Sequence, residues 1–446
     1  MKIELPQNVA YIIEQLNNAG YEASAVGGCV RDSILGREPN DWDITTSATP
    51  QEVKKVFKRT FDTGIQHGTI TVLLKGEGYE VTTYRIDGEY TDHRRPDEVH
   101  FTRELAEDLL RRDFTINAMA YNEKDGLIDL YGGVQDLNDG IIKCVGNPDD
   151  RFNEDALRIM RAVRFAAQLG FDIDEDTWNA AKNHAGELRD ISAERIETEL
   201  TKLLISDHPE KLIDMYELGI TAVILPEFDL MMQTEQNSKY HIYDVGRHTV
   251  EVIKNVRPDK VMRYSALLHD SGKPACKTTD EDGIDHFKGH NLVSEEIAGK
   301  VLKRLRMDND TIRDVKKLVY WHDYGINVNL KLTTVRKMLS RMGENYFDDL
   351  IELKRADNLG QSDYNSEINR ERIDTFIKYH DEIMENQDAL TIKDLKITGK
   401  DLIDAGIKPG PDMGRILKIL LEIVLNEPEH NDHEWLLDKA MKLQEK

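Results

Sequence analysis

Residues 27–46 read GGCVRDSILGREPNDWDITT, and they contain the clearest pattern of secondary structure in the first part of the chain. The residues just before it, 23–26, are predicted to form a short strand. Residues 30–35 are then predicted to form a short helix and residues 42–45 a second strand. Gly36 takes the position at which helices commonly end in a left-handed residue. This succession of strand, helix and strand predicts a mixed α/β domain at the start of the chain.

Two carboxylates in this stretch are candidate ligands for divalent cations. Asp41 and Asp43 are one residue apart, and because strand side chains alternate between faces, both are expected on the same side of one strand. Carboxylate oxygens suit Mg²⁺, which usually binds one or two carboxylates together with substrate phosphates. The Gly27-Gly28 turn lets backbone N–H groups approach an anion, and Arg31 adds a charge-assisted contact. The alternative interpretation is a glycine turn followed by two surface aspartates.

Composition bounds the classes of protein to which the chain can belong. It has 446 residues, of which 32% are charged and 39% hydrophobic, and this length predicts about three domains. No apolar run approaches the roughly 20 residues of a membrane helix, and the first residues, MKIELPQNVAYIIEQL, lack the apolar core of a signal peptide. Three scattered cysteines argue against a disulfide framework. We therefore predict a cytoplasmic protein with no membrane partner.

The net charge of −24 bears on possible nucleic-acid partners. A field of this sign repels a polyanion, so broad, non-specific binding of nucleic acid is not expected. A local basic patch could still bind one end of an RNA in spite of the negative net charge.

The pattern GG-x-VRD-x-x-LG-R followed by D-x-D resembles the active-site signature of the class II tRNA nucleotidyltransferase and poly(A) polymerase family. The head domain of that family is related to polymerase β. The resemblance implies that Asp41 and Asp43 are the catalytic carboxylates and hold Mg²⁺, and that Gly28 and Arg31 bind the incoming nucleotide. It also implies that CTP and ATP are joined to the 3′ end of tRNA without a nucleic-acid template.

Further segments of the head add candidates by the same resemblance. Residues 108–122, DLLRRDFTINAMAYN, resemble the ribose-recognition motif of the family, which implies that Arg112 contacts the nucleotide and that Asp113 holds the ribose or its neighbours. Glu80, in the second of two β-rich runs that predict a hairpin, is a candidate third carboxylate or else an exposed strand residue. The polar residues 86–103 correspond to a flexible loop of the family.

Beyond Asn147-Pro148 the chain is predicted to be almost wholly helical, and its first helix carries a polar strip. On a helix over residues 151–171, Asp155, Arg158, Arg161 and Arg164 would form a slowly turning line, because three residues advance about −60° around the axis. From the residues alone this could be an internal ion-pair ladder. The sequence E-D-x-x-R matches the family motif that reads the base, which implies that Asp155 and Arg158 pair with its Watson–Crick edge. Arg161 and Arg164 would then serve the triphosphate or the base.

A second set of candidate ligands lies between about residues 240 and 360. An adjacent His-Asp pair at the end of an apolar run, with another histidine upstream, suits a divalent metal bound by imidazole and carboxylate. The pattern resembles the His-Asp (HD) metal phosphohydrolase superfamily, which implies a divalent transition metal. The implied ligands are His248, His269, Asp270 and Asp357. His290 and His322 could extend this site or contact phosphate, and the alternative is a scatter of surface histidines.

These observations predict a multidomain protein. We expect a polymerase-β-like α/β nucleotidyltransferase head over residues 1–146, followed by all-α neck and body, HD and tail domains. The helical domains are expected at residues 147–235, which bind RNA and nucleotide, 236–362, which bind metal, and 363–446, which bind the tRNA acceptor arm. The expected activity is CCA addition to tRNA. Rival interpretations are a poly(A) polymerase, an enzyme that adds only A or only CC, and a phosphohydrolase with an RNA-binding head.

Overall fold

The chain forms two compact units in the computed structural model. The model describes residues 2–87, 99–239, 242–325, 330–362, 364 and 366–444. The first unit contains Met1–Asp229 and Arg304–Met307, and the second contains Leu230–Lys303 and Asp308–Lys446. A mixed α/β head followed by helices confirms the predicted fold class, whereas the predicted division into four segments stays a prediction. Within the described ranges, no helix has the length and apolar character needed to cross a membrane.

The head is built on one mixed sheet. Its strands, with one separate pair, are β1 Ala23–Val26, β2 Ile44–Thr46, β3 Thr60–Gly64, β4 Thr69–Leu74, β5 Glu77–Thr83, β6 Arg85–Asp87, β7 Val99–Phe101, β8 Met119–Asn122 and β9 Gly126–Asp129. Its helices are α1 Gln7–Asn18, α2 Gly28–Ile34, α3 Pro50–Val56, α4 Leu105–Leu110 and α5 Gly133–Asp139. Seven strands lie in the order β3-β4-β5-β2-β1-β8-β9, and β6 pairs with β7 alone.

The middle of the sheet positions the Asp41–Asp43 segment. β2 is antiparallel to β1, with Ala25 opposite Ile44, and parallel to β5, with Ile44 beside Val81. These three side chains are buried. The strand predicted at residues 42–45 begins only at Ile44, so the prediction that both aspartates lie on one strand is wrong in detail. The connection from α2 to β2 therefore delivers Asp41 and Asp43 to the end of a central strand.

The helical part of the first unit follows the head. Its elements are α6 Pro148–Glu154, α7 Leu157–Leu169, α8 Glu175–His184, α9 Ala193–Leu204, α10 Leu212–Glu217, α11 Thr221–Ile224 and α12 Pro226–Met232, with a short parallel pair, β10 Ile141–Ile142 and β11 Asp172–Ile173. The helix predicted over residues 151–171 is broken. Asp155 has extended backbone angles, φ −147° and ψ 101°, and its Oδ1 accepts a hydrogen bond from the Leu157 N–H. Asp155 therefore ends α6 and caps α7 instead of lying on one helix with the three arginines.

The second unit is helical in its described parts, apart from one short hairpin. Its elements are α13 Val245–Asn255, α14 Lys260–Leu268, α15 Lys273–Cys276, β12 Thr278–Thr279, β13 Asp285–His286, α16 His290–Arg304, α17 Asn309–Trp321, α18 Leu332–Met342, α19 Phe347–Leu359, α20 Ser366–Glu385, α21 Gly399–Asp404, α22 Pro411–Asn426 and α23 His433–Gln444. A separate apolar cluster holds the tail, in which Leu402 of α21, Leu420 of α22 and Leu436 of α23 are fully buried.

Candidate active site and metal centre

The glycine turn and Arg112 lie side by side at the end of β1. Gly27 has φ +82° and ψ −131°, in the region that glycine alone adopts easily, and its N–H donates to the Met119 carbonyl at 3.1 Å. A Cβ at Gly27 would lie 3.0 Å from Arg112 Nη1. A side chain at residue 27 would therefore both strain the backbone and displace Arg112. Gly28 begins α2 directly after this turn.

Asp41 and Asp43 are both solvent-exposed and lie just before β2. The Asp43 carbonyl accepts a hydrogen bond from the Val26 N–H at 3.0 Å, which fixes this residue beside the end of β1. Protein atoms displace part of the water around its carboxyl group, and this raises the pKa of Asp43. The negative charge of Asp41 raises the pKa further, whereas Arg112 lowers it. The two carboxylates and Arg112 thus form one electrostatic cluster, and its oxygen donors suit a hard cation such as Mg²⁺.

Glu80, the candidate third carboxylate, is an exposed residue of β5. It comes one residue before Val81, the register partner of Ile44, just as Asp43 comes one residue before Ile44. Across the hairpin it faces Thr71. Its role as a metal ligand stays a prediction. Residues 88–98, the centre of the segment predicted to be a flexible loop, lie outside the described residues.

A chain of hydrogen bonds joins α2 to α7. Arg31 Nη1 donates to Asn117 Oδ1 at 2.7 Å, and Asn117 Nδ2 donates to Asp113 Oδ1 at 3.2 Å. The other oxygen of Asp113 accepts from Arg161 Nε at 2.8 Å. The sequence analysis did not predict a role for Asn117. The available signal was a polar amide side chain inside the largely apolar run FTINAMA. Asp113, expected by resemblance to hold the ribose or its neighbours, is buried and engaged with Arg161, and its role towards the ribose stays a prediction.

Three of the predicted nucleotide-binding arginines gather around one aromatic ring. The guanidinium carbons of Arg31, Arg161 and Arg164 lie 5.1, 5.4 and 3.5 Å from the centroid of Phe165, within the range of cation–π attraction. Arg164 Nε also donates to Glu199 Oε2 at 2.8 Å, which ties α7 to α9. Residues predicted from two distant parts of the sequence therefore share one location in the first unit.

Charge pairing stabilises this network. Burial favours the neutral form of Asp113, but attraction to Arg161 outweighs it and holds the pKa of that carboxyl well below its usual range. Asp108, which sequence reasoning missed, is a second buried carboxylate; it accepts from Arg111 Nη2 at 2.7 Å and from Thr45 Oγ1 at 3.1 Å. Burial again opposes ionisation, and Arg111 and Arg112 lower the pKa of Asp108 in spite of it. These carboxylates position the arginines of the site.

Asp155 and Arg158, the predicted base-reading pair, are held by fixed partners. Asp155 Oδ2 lies 2.7 Å from Arg195 Nη2 of α9. Arg158 Nη1 lies 2.5 Å from Glu154 Oε2, and its Nη2 donates to the Arg111 carbonyl at 3.1 Å. Both side chains are partly buried, so their orientations are set by the protein before any base arrives. That they read the base stays a prediction.

The second unit brings all six of its candidate ligands together. His248 lies on α13 and Asp357 on α19. His269 and Asp270 directly follow α14, His290 begins α16 and His322 directly follows α17. His248 Nε2 lies 3.0 Å from Asp357 Oδ1, and His269 Nε2 lies 3.2 Å from Asp270 Oδ2. All six side chains are buried, so the alternative of scattered surface histidines is wrong.

Backbone carbonyls orient the four imidazoles. Each Nδ1 lies 2.6–3.0 Å from a carbonyl oxygen: His248 with Gly360, His269 with Ala266, His290 with Phe287 and His322 with Val319. A neutral imidazole that donates through Nδ1 leaves the Nε2 lone pair available for a metal. Burial opposes the charge on Asp270, but His269 in its protonated form, together with Lys273, lowers the pKa of this carboxyl well below its ordinary value. The donor set therefore fits a divalent cation.

Two lysines that the sequence did not single out support this cluster. Lys273 Nζ lies 2.7 Å from Asp270 Oδ2 and donates to Gln236 Oε1 at 2.8 Å. Lys354 is fully buried, and its Nζ donates to the carbonyls of His322 and Tyr324 at 2.5 and 2.8 Å. Burial lowers the pKa of Lys354 to about 8. In the sequence, the available signal for Lys354 was its position three residues before the predicted ligand Asp357.

Comparison with known proteins covers nearly the whole chain. Family models match at residues 23–143 (poly A polymerase head domain), 170–232 (RNA and SrmB-binding site of polymerase A) and 287–440 (tRNA nucleotidyltransferase domain 2). The CCA-adding enzyme of Ligilactobacillus salivarius is 37% identical over 97% of this chain and 96% of its own. The CCA-adding enzyme of Levilactobacillus brevis is 38% identical over 91% of this chain and 90% of its own.

A solved structure agrees with these sequence relatives. The Bacillus stearothermophilus CCA-adding enzyme in complex with CTP is similar to this chain with a TM-score of 0.70 and 28% identity, over 98% of both chains. High identity along almost the full length, together with the described head and helical units, identifies the family. This chain belongs to the CCA-adding enzymes of the tRNA nucleotidyltransferase and poly(A) polymerase family.

Proposed function

We propose that Asp41 and Asp43 carry the reaction of this family in the head. The chain adds CCA to the 3′ end of tRNA from CTP and ATP without a nucleic-acid template. The observation that carries the assignment is the cluster of Asp41, Asp43 and Arg112 beside the glycine turn, in a chain 37% identical to a CCA-adding enzyme. The relatives, and the match to a tRNA nucleotidyltransferase domain at residues 287–440, argue against a poly(A) polymerase.

The chemistry is a single displacement at the α-phosphorus of the nucleotide. The 3′ oxygen of the tRNA bonds to that phosphorus, the bond to the bridging oxygen breaks, pyrophosphate leaves, and the hydroxyl proton passes to solvent. Mg²⁺ at such a site would lower the pKa of the hydroxyl and offset charge on the leaving pyrophosphate. Asp41 and Asp43 would hold it, because exposed carboxylates leave room for substrate phosphates to complete its ligands.

Cationic side chains next to these carboxylates suit the triphosphate. Arg31 and Arg112 flank the turn that ends at Gly28, while Arg161 and Arg164 lie with Arg31 around Phe165. Guanidinium groups make charge-assisted hydrogen bonds to phosphate oxygens. Because Asp113 and Glu199 already fix two of these arginines, little side-chain entropy is lost when a nucleotide binds.

Asp155 and Arg158 suit the selection of C and A over U and G. A carboxylate accepts from the exocyclic amine of cytosine or adenine, and a guanidinium donates to ring acceptors. Uracil and guanine present the wrong pattern and would leave buried groups unpaired. The pairing of Asp155 with Arg195 and of Arg158 with Glu154 would keep both groups in position. In this proposal Asp155 and Arg158, at the break between α6 and α7, select the incoming base in place of a nucleic-acid template.

The same proposal names the macromolecular substrate and the cellular compartment of the reaction. The substrate is the acceptor arm of tRNA, contacted by a local surface because the chain carries a net charge of −24, and the predicted tail at residues 363–446 would bind its far end. We place the reaction in the cytoplasm, since Cys29 and Cys144 are buried free thiols and Cys276 is also free.

A direct product test separates the rival activities. tRNA that lacks its last three nucleotides is incubated with CTP, with ATP or with both, and the 3′ ends are sequenced. CC from CTP alone and CCA from the mixture are expected. A long A tail would instead indicate a poly(A) polymerase, and a product limited to CC or to a single A would indicate that a second protein completes the task.

The His-Asp cluster favours a second activity, a metal-dependent phosphohydrolase. Imidazole and carboxylate donors suit a transition metal, and the four ligands implied by the sequence resemblance converge with short distances between their donor atoms: His248, His269, Asp270 and Asp357. A cleft of about 610 Å³ reaches Asp270 and Asp357, so a substrate has access. Loss of phosphate release from a phosphate ester in His269→Ala, compared with the exposed His433→Ala, would test this activity.

A further inference from the structure

The aromatic ring of Phe165 lies where the helix α7 packs against the head. Phe165 is 6% exposed, and its ring meets the buried ring of Phe114 edge to face, with centroids 5.8 Å apart and an interplanar angle of 80°. Aromatic pairs favour this arrangement, because the positive edge of one ring lies against the negative face of the other. The head therefore holds the Phe165 ring in one orientation.

Three guanidinium groups surround this ring, and they come from two elements. Arg31 belongs to α2 of the head, whereas Arg161 and Arg164 belong to α7. Burial and the neighbouring charge of Arg161 lower the pKa of Arg164 in spite of its carboxylate partner, so the like charges do repel one another. Each guanidinium has one carboxylate partner at 2.8 Å: Asp32 for Arg31, Asp113 for Arg161 and Glu199 for Arg164.

The three guanidinium groups differ in their access to solvent. The side chain of Arg164 is 7% exposed, and its guanidinium carbon lies 3.5 Å from the ring centroid. The side chains of Arg31 and Arg161 are 11% and 33% exposed, and their guanidinium carbons lie 5.1 and 5.4 Å from the centroid. The ring thus carries one buried cation and two cations that an anion from solvent can still meet.

An aliphatic side chain could not replace the ring in this arrangement. The face of an aromatic ring carries partial negative charge and attracts a guanidinium within about 6 Å of its centroid. Leucine at residue 165 would fill part of the same space but would offer no such charge to three mutually repelling cations. Arg31 and Arg161 would then take other rotamers more easily, and ordering them again when a ligand binds costs side-chain entropy.

We propose that Phe165 is a positioning residue for nucleotide addition, because its ring holds Arg31 and Arg161 where they receive the triphosphate of CTP or ATP. This role rests on the function proposed above, in which these arginines bind the triphosphate. Phe165 acts through its two neighbours and not through contact with the nucleotide. Since one arginine comes from the head and the other from α7, the ring also links the two parts of the nucleotide site.

The base-reading pair does not depend on this ring. Asp155 is held by Arg195 of α9, and Arg158 is held by Glu154 of α6. A change at Phe165 should therefore weaken binding of phosphate groups and leave the choice of base unaltered. A variant that merely disturbed the fold of α7 would change both.

Steady-state kinetics of the full chain, with tRNA that lacks its last three nucleotides, test this role. In Phe165→Leu the KM for CTP should rise about 10-fold, with kcat changed less than about threefold. The inhibition constant of inorganic triphosphate, a probe without a base, should rise by the same factor, while the preference for CTP over UTP stays within about twofold of the parent value. Phe165→Tyr, which keeps the ring, should resemble the parent chain. The control Phe347→Leu removes a buried ring stacked on His380 and should change none of these quantities.

A second replacement keeps the test decisive if Phe165→Leu does not fold. Pentafluorophenylalanine at residue 165 keeps the shape of the ring but reverses the charge of its face, so it should raise the KM for CTP and the inhibition constant at least as much. Normal values of both constants in this variant would overturn the role of Phe165, and so would a changed preference for CTP over UTP. A parent chain that adds no C to the tRNA would contradict the proposed function itself, and this role with it.

Discussion

The two candidate metal sites of this chain are built in opposite ways. In the head, Asp41 and Asp43 are exposed on a connection just before β2, and Arg112 is the cation that acts on Asp43. In the second unit, six buried candidate ligands converge, and each histidine is fixed through its Nδ1. The head thus offers a cation few protein ligands, and the second unit offers it many.

This difference predicts how each candidate site would acquire a metal. Mg²⁺ keeps waters and takes ligands from substrate phosphates, so two carboxylates suffice where a triphosphate supplies the rest. A cluster of imidazoles and carboxylates binds transition metals without help from a substrate. We infer that the head is completed by its nucleotide, whereas the His-Asp cluster is complete before its substrate arrives.

The largest effect is expected from Asp43→Ala. Removing one of two carboxylates should lower nucleotide addition at least about 10³-fold, because the charge that develops at phosphorus loses its compensating ion. Binding of tRNA, measured by a gel-shift assay, should change less than about twofold. The exposed Asp176→Ala of α8 is the matched control. Nucleotide addition at a normal rate in Asp43→Ala would show that Asp43 is not a catalytic residue. It would also contradict the proposed difference between the two candidate metal sites.

Removal of bound metal ions should reveal a difference in metal preference between the two candidate sites. After dialysis against a chelator and return to buffer with Mg²⁺ alone, nucleotide addition should recover fully. Hydrolysis of phosphate esters should stay about 100-fold below its starting rate until a transition metal is added, because the imidazole-rich cluster binds such metals in preference to Mg²⁺. Recovery of both activities with Mg²⁺ alone would show that the sites do not differ in metal preference.

The base-reading assignment predicts a change of selectivity rather than of rate alone. Asp155→Ala should lower the preference for CTP over UTP by about 10- to 100-fold, since a good base contact contributes roughly 1–3 kcal/mol of discrimination. The measurement is the ratio of kcat/KM for the two nucleotides, with the exposed Asp150→Ala as control. Equal selectivity in Asp155→Ala and the control would place base recognition elsewhere in the head or the helical domain.

The smallest effect is expected from Asp113→Asn, which tests a positioning contact. The pKa of Asp113 is lower in the folded protein than in the unfolded chain. Its charge therefore stabilises the fold above the unfolded-state value of about 3.9, and this contribution is lost as the pH falls through the folded-state value. Because Arg161 is partly exposed, the variant should lose about 1–2 kcal/mol of unfolding free energy at pH 7.

Denaturant unfolding at several pH values measures this effect. The difference between Asp113→Asn and the parent chain should be constant from about pH 5 to 8 and should shrink below about pH 4. A difference that grew towards low pH would contradict the direction of the pKa shift. Asp136→Asn, which removes a charge from a partly exposed carboxylate that accepts from Thr115, is a suitable comparison.

Local sequence patterns predicted the elements around each site but not their final contacts. The strand at Ala23–Val26 was predicted at its observed bounds because four small or β-branched residues precede a glycine turn. The break at Asp155 was missed, since helical periodicity continues through it and the cause is a cap on Leu157 together with a partner on α9. Likewise, Asn117, Asp108 and Lys273 each have one partner that is distant in sequence, namely Arg31, Thr45 and Gln236. Such tertiary pairing leaves no periodic signal.

The ligands of the second unit illustrate the same limit. His269 and Asp270 were predictable as an adjacent pair at the end of an apolar run. The sequence left open whether His290 and His322 extend this site, because only the packing of α16 and α17 brings their Nε2 atoms to 3.2 Å. Motif recognition thus predicted the type of site, whereas the full set of side chains that meet there depends on the fold.

A crystal structure of the chain with Mg²⁺, CTP and a tRNA that lacks CCA is the most direct test of the central claim. We expect Mg²⁺ on Asp41 and Asp43, the triphosphate against Arg31 and Arg112, and the cytosine edge against Asp155 and Arg158. A nucleotide bound away from these carboxylates, or a cytosine that touches neither Asp155 nor Arg158, would contradict it.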